Sequence, residues 1–372
     1  MDGVRVTRAP VDGAAEGSVK RDFFRPTSSA WSAAAAAAVA TAGLGGPVRT
    51  ALHRWGTMDV PNHRSSHAAP VVRSGGVAPI LGAGVASLIT GRRPSAARGV
   101  TVLALAGLGL ADDISGDVPA RLRLAAQLAL GAAPSAHGGW DRPLAAVATA
   151  GVVNVVNFMD GINGITGMTA VVWGVNAMLV EDESDGDLAT LGALTAGAGL
   201  GFLPHNAPTA RMFLGDVGSY AFGAAMAAGV LSQRSLAGRY RAAAPLILYG
   251  LDAAQALLLR ARAGKSLTDA HRDHVYQRLV DGGRSHIEVA ALHGALAGMI
   301  VASARRVGVA ARVTELAIAV GYLTLPLMQS RRSGALDAPH TSREGTMTPV
   351  QPDDSGRVEI GERTPAQEGG RS

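Results

Sequence analysis

The groups best suited to chemistry are concentrated between Asn154 and Gly167, a stretch reading Asn-Val-Val-Asn-Phe-Met-Asp-Gly-Ile-Asn-Gly-Ile-Thr-Gly. On a helix carried through to Asp160, the spacings of three put Asn154, Asn157 and Asp160 on one face, so two amides and a carboxylate point the same way. Gly161, Gly164 and Gly167 then let the backbone turn and come close to a ligand. A glycine-rich turn with a capping aspartate would explain this stretch taken alone.

Other polar stations recur along the chain. Asp112 and Asp113 close an apolar run, with Asp117, Arg121 and Arg123 just beyond. Adjacent carboxylates at a membrane border are costly unless solvated, paired or holding a cation, although helix-capping aspartates are the plainer alternative. Asp216 lies among glycines at the entrance to another run, where free N–H groups and the helix dipole favour phosphate oxygens. Arg64, His67 and Arg73, near the paired Gly75 and Gly76, supply phosphate donors, or else form a basic juxtamembrane loop. His271 and His274 could ligate zinc with Asp273, but Arg272 and its basic neighbours oppose a cation and suit a polyphosphate.

The elements that must position these groups are apolar. Only 17% of the 372 residues are charged, and the mean hydropathy is +0.20. Eleven runs stand out: Trp31 to Leu52, Val77 to Thr90, Ala97 to Ala111, Leu122 to Ala136, Leu144 to Phe158, Met168 to Val180, Leu188 to Leu203, Ser219 to Leu231, Ala242 to Leu259, Ile287 to Ala304 and Val313 to Met328. They lack the polar stripe of a surface helix, and their alanines and glycines suit close packing in a bilayer. The expected fold is therefore all-α, a polytopic membrane protein of about ten to eleven transmembrane helices with cytoplasmic active-site loops. Residues 1–29 and 331–372 read as disordered tails around a transmembrane domain at 30–330.

There is no cysteine, which excludes disulfides and thiolate metal sites. The net charge of +5 would suit nucleic acid, but aromatic interleaving is absent and nucleic acid is not expected as a partner. If all eleven runs span, the motif-bearing connections follow helices one, three, five, seven and nine and open on the same face. The connections Glu181 to Asp187 and Gln233 to Arg241 hold no comparable cluster. Charge bias agrees only partly: Arg260 to Arg284 is basic on the motif side, while Arg234, Arg239, Arg241, Arg305, Arg306 and Arg312 fall opposite.

Aspartates, amides, a helix N-terminus and Arg/His donors on one aqueous face suit magnesium-assisted transfer of a phosphoryl-linked group to or from a lipid. The segments Asp59-Val-Pro-Asn-His-Arg-Ser-Ser-His67, Asp112-Asp113, Asn154-Val-Val-Asn-Phe-Met-Asp-Gly161, Phe213-Leu-Gly-Asp-Val-Gly-Ser219 and His271-Arg-Asp-His-Val-Tyr-Gln-Arg-Leu279 resemble, in order, the polyprenyl-phosphate N-acetylhexosamine-1-phosphate transferase superfamily. The histidine segment is most similar to the branch that initiates O-antigen-type and other surface glycans. The resemblance implies transfer of a HexNAc-1-phosphate from a UDP-N-acetylhexosamine to undecaprenyl phosphate, with Mg²⁺ and release of UMP, at the cytoplasmic face of the plasma membrane. It implies Asp216 as Mg²⁺ ligand helped by Asp160, and Asp112, with Asp113 beside it, orienting or deprotonating the lipid phosphate. Asn157 and the Gly161 to Gly164 turn would sit by the uridine, and His271, Arg272 and His274 by the pyrophosphate or sugar. Asn163 stands where the family usually has an aspartate linked to uracil recognition; an amide also hydrogen-bonds a base. Pro70-Val-Val-Arg73 replaces the family's Pro-Thr-Pro-Arg.

Membrane lipid and a second copy of the chain complete the expected partners. An inactive scaffold of the same fold is the alternative, and the retained carboxylates oppose it. A transporter would carry internal repeats and broken helices, and neither is expected here.

Overall fold

Runs rich in alanine, leucine and valine, uninterrupted over many residues, favour helices, since the backbone then satisfies its own hydrogen bonds in an apolar medium. The computed structural model describes residues 28–61, 69–116, 118–132, 141–180, 186–266 and 272–332, with side chains as far as 329. The expected tails fall mostly outside these residues.

The helices are α1 (Ser28–Arg54), α2 (Val77–Thr90), α3 (Ala96–Ser115), α4 (Ala120–Gly131), α5 (Asp141–Met159), α6 (Ile165–Leu179), α7 (Asp187–Asn206), α8 (Gly215–Ser232), α9 (Leu236–Ala243), α10 (Ile247–Arg262), α11 (Val275–Asp281), α12 (His286–Ala304) and α13 (Val309–Arg332). Two short strands, β1 (Met58–Asp59) and β2 (Val71–Val72), pair antiparallel after α1. Over the described residues, each of the eleven apolar runs falls on a helix or, for the ninth, on α9 and α10 together. Asp141–Met159, Leu236–Arg262, His286–Ala304 and Val309–Gln329 are long and apolar enough to cross a membrane, and Val77–Thr90 and Ile165–Leu179 are shorter apolar helices. The protein is an all-α polytopic membrane protein.

Most residues of α7 and α8 are buried. These two helices form the centre, which is why neither carries a polar stripe. Small residues make the contacts close: at Gly201, an added side chain would meet the Thr41 Cβ at 2.8 Å. Outward faces remain apolar, with Val39, Leu88 and Leu316 exposed where lipid would cover them.

The ninth span departs from expectation. A 3₁₀ turn at Ala244–Leu246 separates α9 from α10, so this helix is broken. Pro245 is the cause, because it has no N–H to continue the helical ladder.

Alternate connections gather at opposite ends of the bundle. At one end, Arg98 and Asp187 form a buried ion pair and Asp187 accepts the Ser95 N–H at 2.6 Å, joining the starts of α3 and α7. The arginines that weakened the charge bias lie at this end, where Arg239 donates to the Gln233 carbonyl and Arg312 pairs with Glu315. The motif-bearing loops lie at the other.

Candidate active site

Three helix ends meet because a glycine lets two of them touch. Gly109 packs α3 against the first turn of α8 so closely that a Cβ there would lie 2.7 Å from the Val217 nitrogen. The α8 N-terminus carries unpaired N–H groups, and Asp113 at the end of α3 satisfies them. Its carboxylate accepts from Asp216 N–H at 3.0 Å and Val217 N–H at 3.1 Å, and takes the Arg73 Nε at 3.0 Å. Arg73 follows β2, where its own N–H donates to the Thr57 carbonyl, and Gly75 and Gly76 donate to the carbonyls of Phe213 and Leu214 at 2.8 Å each. The loop after α1 is thereby fastened to the loop before α8.

Asp112 faces a different partner. Its carboxylate accepts from Val118 N–H at 3.2 Å and pairs with Arg123, one turn into α4. The same Arg123 nitrogen lies 3.5 Å from Asp216, whose other oxygen accepts the Asn157 amide at 2.9 Å. Asn157 also donates to the Ser219 hydroxyl at 3.1 Å. Asp112 and Asp216 therefore bracket one guanidinium, with Asn157 holding the outer edge of Asp216.

Asp160 lies in the turn after α5, its N–H donating to the Asn157 carbonyl at 3.2 Å. Burial pushes its carboxyl up to about 8, and the negative charges of Asp216 and Asp113 add to the shift. The turn is then fixed residue by residue. Gly164, in the left-handed region at φ +84, donates its N–H to the Asn206 side chain at 2.6 Å. Asn163 donates its N–H to His286 Nδ1 at 3.3 Å and its amide to the Pro208 carbonyl at 3.0 Å. Gly161 lies under Tyr276, whose hydroxyl donates to the Phe158 carbonyl at 3.0 Å.

Not every expected residue joins this cluster. Asn154 shares the helix with Asn157 but turns to the neighbouring helix, donating to Gln127 at 2.5 Å and to the Ala150 carbonyl at 2.8 Å. The reason is that α4 packs along that side of α5 and offers a buried amide acceptor. Arg272 pairs with Asp281 at 2.7 Å, and His274 Nδ1 lies 3.0 Å from Asp252. Arg64, His67 and His271 lie outside the described residues. Arg123, Ser219, Asn206 and Asp252 had no assigned role in the sequence reading; Asp252, a lone carboxylate within an apolar run, carried a readable signal.

Among the described residues, no three His, Cys, Asp or Glu side chains form a ready-made metal cage. Mg²⁺ does not need one, since it takes one or two carboxylates and completes its shell with water and phosphate oxygens. The all-oxygen donors of Asp112 and Asp216, with Asp160 nearby, fit that ion better than zinc.

A profile of glycosyl transferase family 4 matches residues 96–233, from the start of α3 past the end of α8. The chain is similar to the decaprenyl-phosphate N-acetylglucosaminephosphotransferase of Mycobacterium tuberculosis (strain CDC 1551 / Oshkosh), 28% identical over 311 residues covering 68% of this chain and 76% of that one. Its similarity to the enzyme of that name from Mycolicibacterium smegmatis is 28% over 364 residues, 80% of this chain and 89% of the relative. A shorter match, 48% over 68 residues, covers 18% of this chain and 19% of a phospho-N-acetylmuramoyl-pentapeptide-transferase from Synechococcus sp. (strain RCC307). The carboxylates, amide and arginine gathered here lie inside the segment that this profile matches, and the chain resembles the polyprenyl-phosphate hexosamine-1-phosphate transferase superfamily and is a phospho-sugar transferase.

Proposed function

We propose that this protein transfers a HexNAc-1-phosphate from a UDP-sugar to a polyprenyl phosphate of the undecaprenyl or decaprenyl type, releasing UMP at the cytoplasmic face of the plasma membrane. The observation that carries this reading is the bracketing of Arg123 by Asp112 and Asp216 at the junction of three helix ends. Two carboxylates are held together there by one cation, in a place where anionic phosphates would otherwise be repelled.

In the reaction, a phosphate oxygen of the lipid acceptor attacks the sugar-bearing phosphorus of the donor. A new P–O bond forms, the pyrophosphate P–O bond breaks, and UMP leaves with the electron pair. Asp112 orients the acceptor phosphate and takes its proton if it arrives protonated. Arg73 and Arg123 offer guanidinium donors to the phosphates, and His274 and Arg272 line the approach of the donor's pyrophosphate or sugar. Asn157 and the Gly161 to Gly164 turn lie by the uridine, with Asn163 offering an amide to the base. Asp216, with Asp160 and Asp112, would hold Mg²⁺, whose charge would neutralise phosphate oxygens. Direct attack needs no covalent enzyme intermediate, because both phosphates can be positioned at once. The relatives' names support N-acetylglucosamine as the first sugar to test.

The test is purified protein with undecaprenyl or decaprenyl phosphate, Mg²⁺ and a panel of UDP-N-acetylhexosamines, scored for UMP release. Release that depends on both lipid phosphate and one of the donors is expected. Inertness toward every donor, in protein that extracts as a single species, would favour an inactive scaffold.

A further inference from the structure

A carboxylate inside a membrane span persists where enough donors meet it, because an unpaired charge there costs several kcal/mol. Asp252, on α10, is fully buried and meets four. One oxygen accepts from His274 Nδ1 and Val275 N–H, each at 3.0 Å, and the other from Tyr276 N–H at 3.4 Å and the Tyr322 hydroxyl at 2.9 Å. It therefore anchors the first turn of α11 and ties it to α13.

From α11 the contact continues toward the carboxylate cluster. Tyr276 is buried, and its hydroxyl reaches the Phe158 carbonyl at the end of α5, two residues before Asp160. The same hydroxyl occupies the space where a side chain at Gly161 would project. With the carboxylate accepting, Nδ1 of His274 carries the ring proton, which sets the tautomer of that histidine.

We propose that Asp252 is a positioning residue for the transfer reaction, fixing the His274 ring and docking α11 on the Asp160 turn so that both address the same nucleotide-sugar donor. This rests on the transferase reading above and adds a residue to it. Asp252 touches neither donor nor acceptor; it acts through His274 and Tyr276.

The experiment compares the full chain with Asp252→Asn, His274→Ala, their double variant, Tyr276→Phe, and Asp187→Asn. The last breaks another buried carboxylate pair, at the opposite end of the bundle. Asp252→Asn is expected to lower kcat/KM for the UDP-sugar by at least about tenfold with the KM for lipid phosphate within twofold, since the affected groups all lie on one side of the site. The double variant should lose less than the product of the two single losses, because residues acting as a unit are not additive. Tyr276→Phe, which keeps the ring, should raise the donor KM several-fold. Asp187→Asn should leave donor KM within twofold at a comparable loss of melting temperature.

Independently of turnover, ¹⁵N-histidine NMR should show the His274 ring changing tautomer in Asp252→Asn, its signal identified by its loss in His274→Ala. Multiplicative losses in the double variant, an equal effect from Asp187→Asn, an unchanged donor KM in Tyr276→Phe, or an unchanged ring signal would each overturn the positioning role. Wild-type protein inert toward every donor would overturn the transferase reading with it. An active wild type with an equally active Asp252→Asn would overturn the positioning role alone.

Discussion

Asp113 and Asp216 are both acidic residues of the cluster, yet their tasks differ. Asp113 spends both oxygens on the α8 N-terminus and Arg73, so its charge is committed to holding backbone. Asp216 keeps one oxygen near Arg123 and the other on Asn157, an arrangement a substrate-bound cation could take over. Asp216→Asn is therefore expected to lower UMP release by at least about a hundredfold, as loss of a charge-stabilising group does, while the protein still extracts as a single species. Undiminished release would remove Asp216 from the chemistry. Arg123→Gln makes the opposite change, freeing Asp112 and Asp216 from their internal cation. Like charges then face each other, and Mg²⁺ should raise the melting temperature at a several-fold lower concentration than in the wild type. An unchanged or higher Mg²⁺ requirement would mean that the guanidinium does not compete for these carboxylates. The residue types were legible in the sequence; their partners were less so. Asp113 caps N–H groups 103 residues further along the chain, and no local spacing announces that contact. Helical periodicity likewise put Asn154 and Asn157 on one face, but periodicity names a face and not the neighbour that covers it, and Gln127 on α4 claims Asn154.

Helix ends, more than loops, set the geometry of the site. Gly109 and Gly107 lie on the same helix two residues apart, one pressed on the α8 backbone and the other with open space around it. Gly109→Ala should push α3 from α8, costing about 1–3 kcal/mol by overpacking and lowering UMP release by roughly tenfold or more through displacement of Asp113. Gly107→Ala should instead hold or raise the melting temperature, since alanine is favoured over glycine by up to about 1 kcal/mol in a helix. Equal behaviour of the two variants, read by thermal unfolding and UMP release, would mean that the α3–α8 contact does not position the carboxylates. The helices were readable because long apolar runs have no other way to satisfy their backbone in lipid. Their edges were less so where charge and helix coexist. The ninth run was read from Ala242, whereas its span begins at Leu236, with Arg239 and Arg241 on the intervening turn. The break at Pro245 was missed because the apolar composition continues straight through it.

At the scale of the molecule, the claim that matters is sidedness: every motif-bearing loop must open to the compartment that supplies nucleotide sugars. The described contacts bring the connections after the first, third, fifth and seventh apolar runs to one end, through Arg73, Asp113, Asp160 and Asp216. Tyr276 adds the connection after the ninth run to the same end. Which compartment that end faces is decided by charge only weakly, because arginines such as Arg239 and Arg312 at the other end are tied into local contacts. The chain contains no cysteine, so single cysteines can be introduced without removing any. Arg284→Cys, exposed in the loop before α12, should react with an impermeant maleimide only from the cytoplasmic side. Val307→Cys, 93% exposed between α12 and α13, should react only from the outside. The reverse pattern would place the carboxylates away from the nucleotide-sugar pool and end the proposed reaction. Labelling of both from one side would mean that α12 does not cross the membrane, and the convergence of the odd-numbered connections could then not follow from alternation of spans.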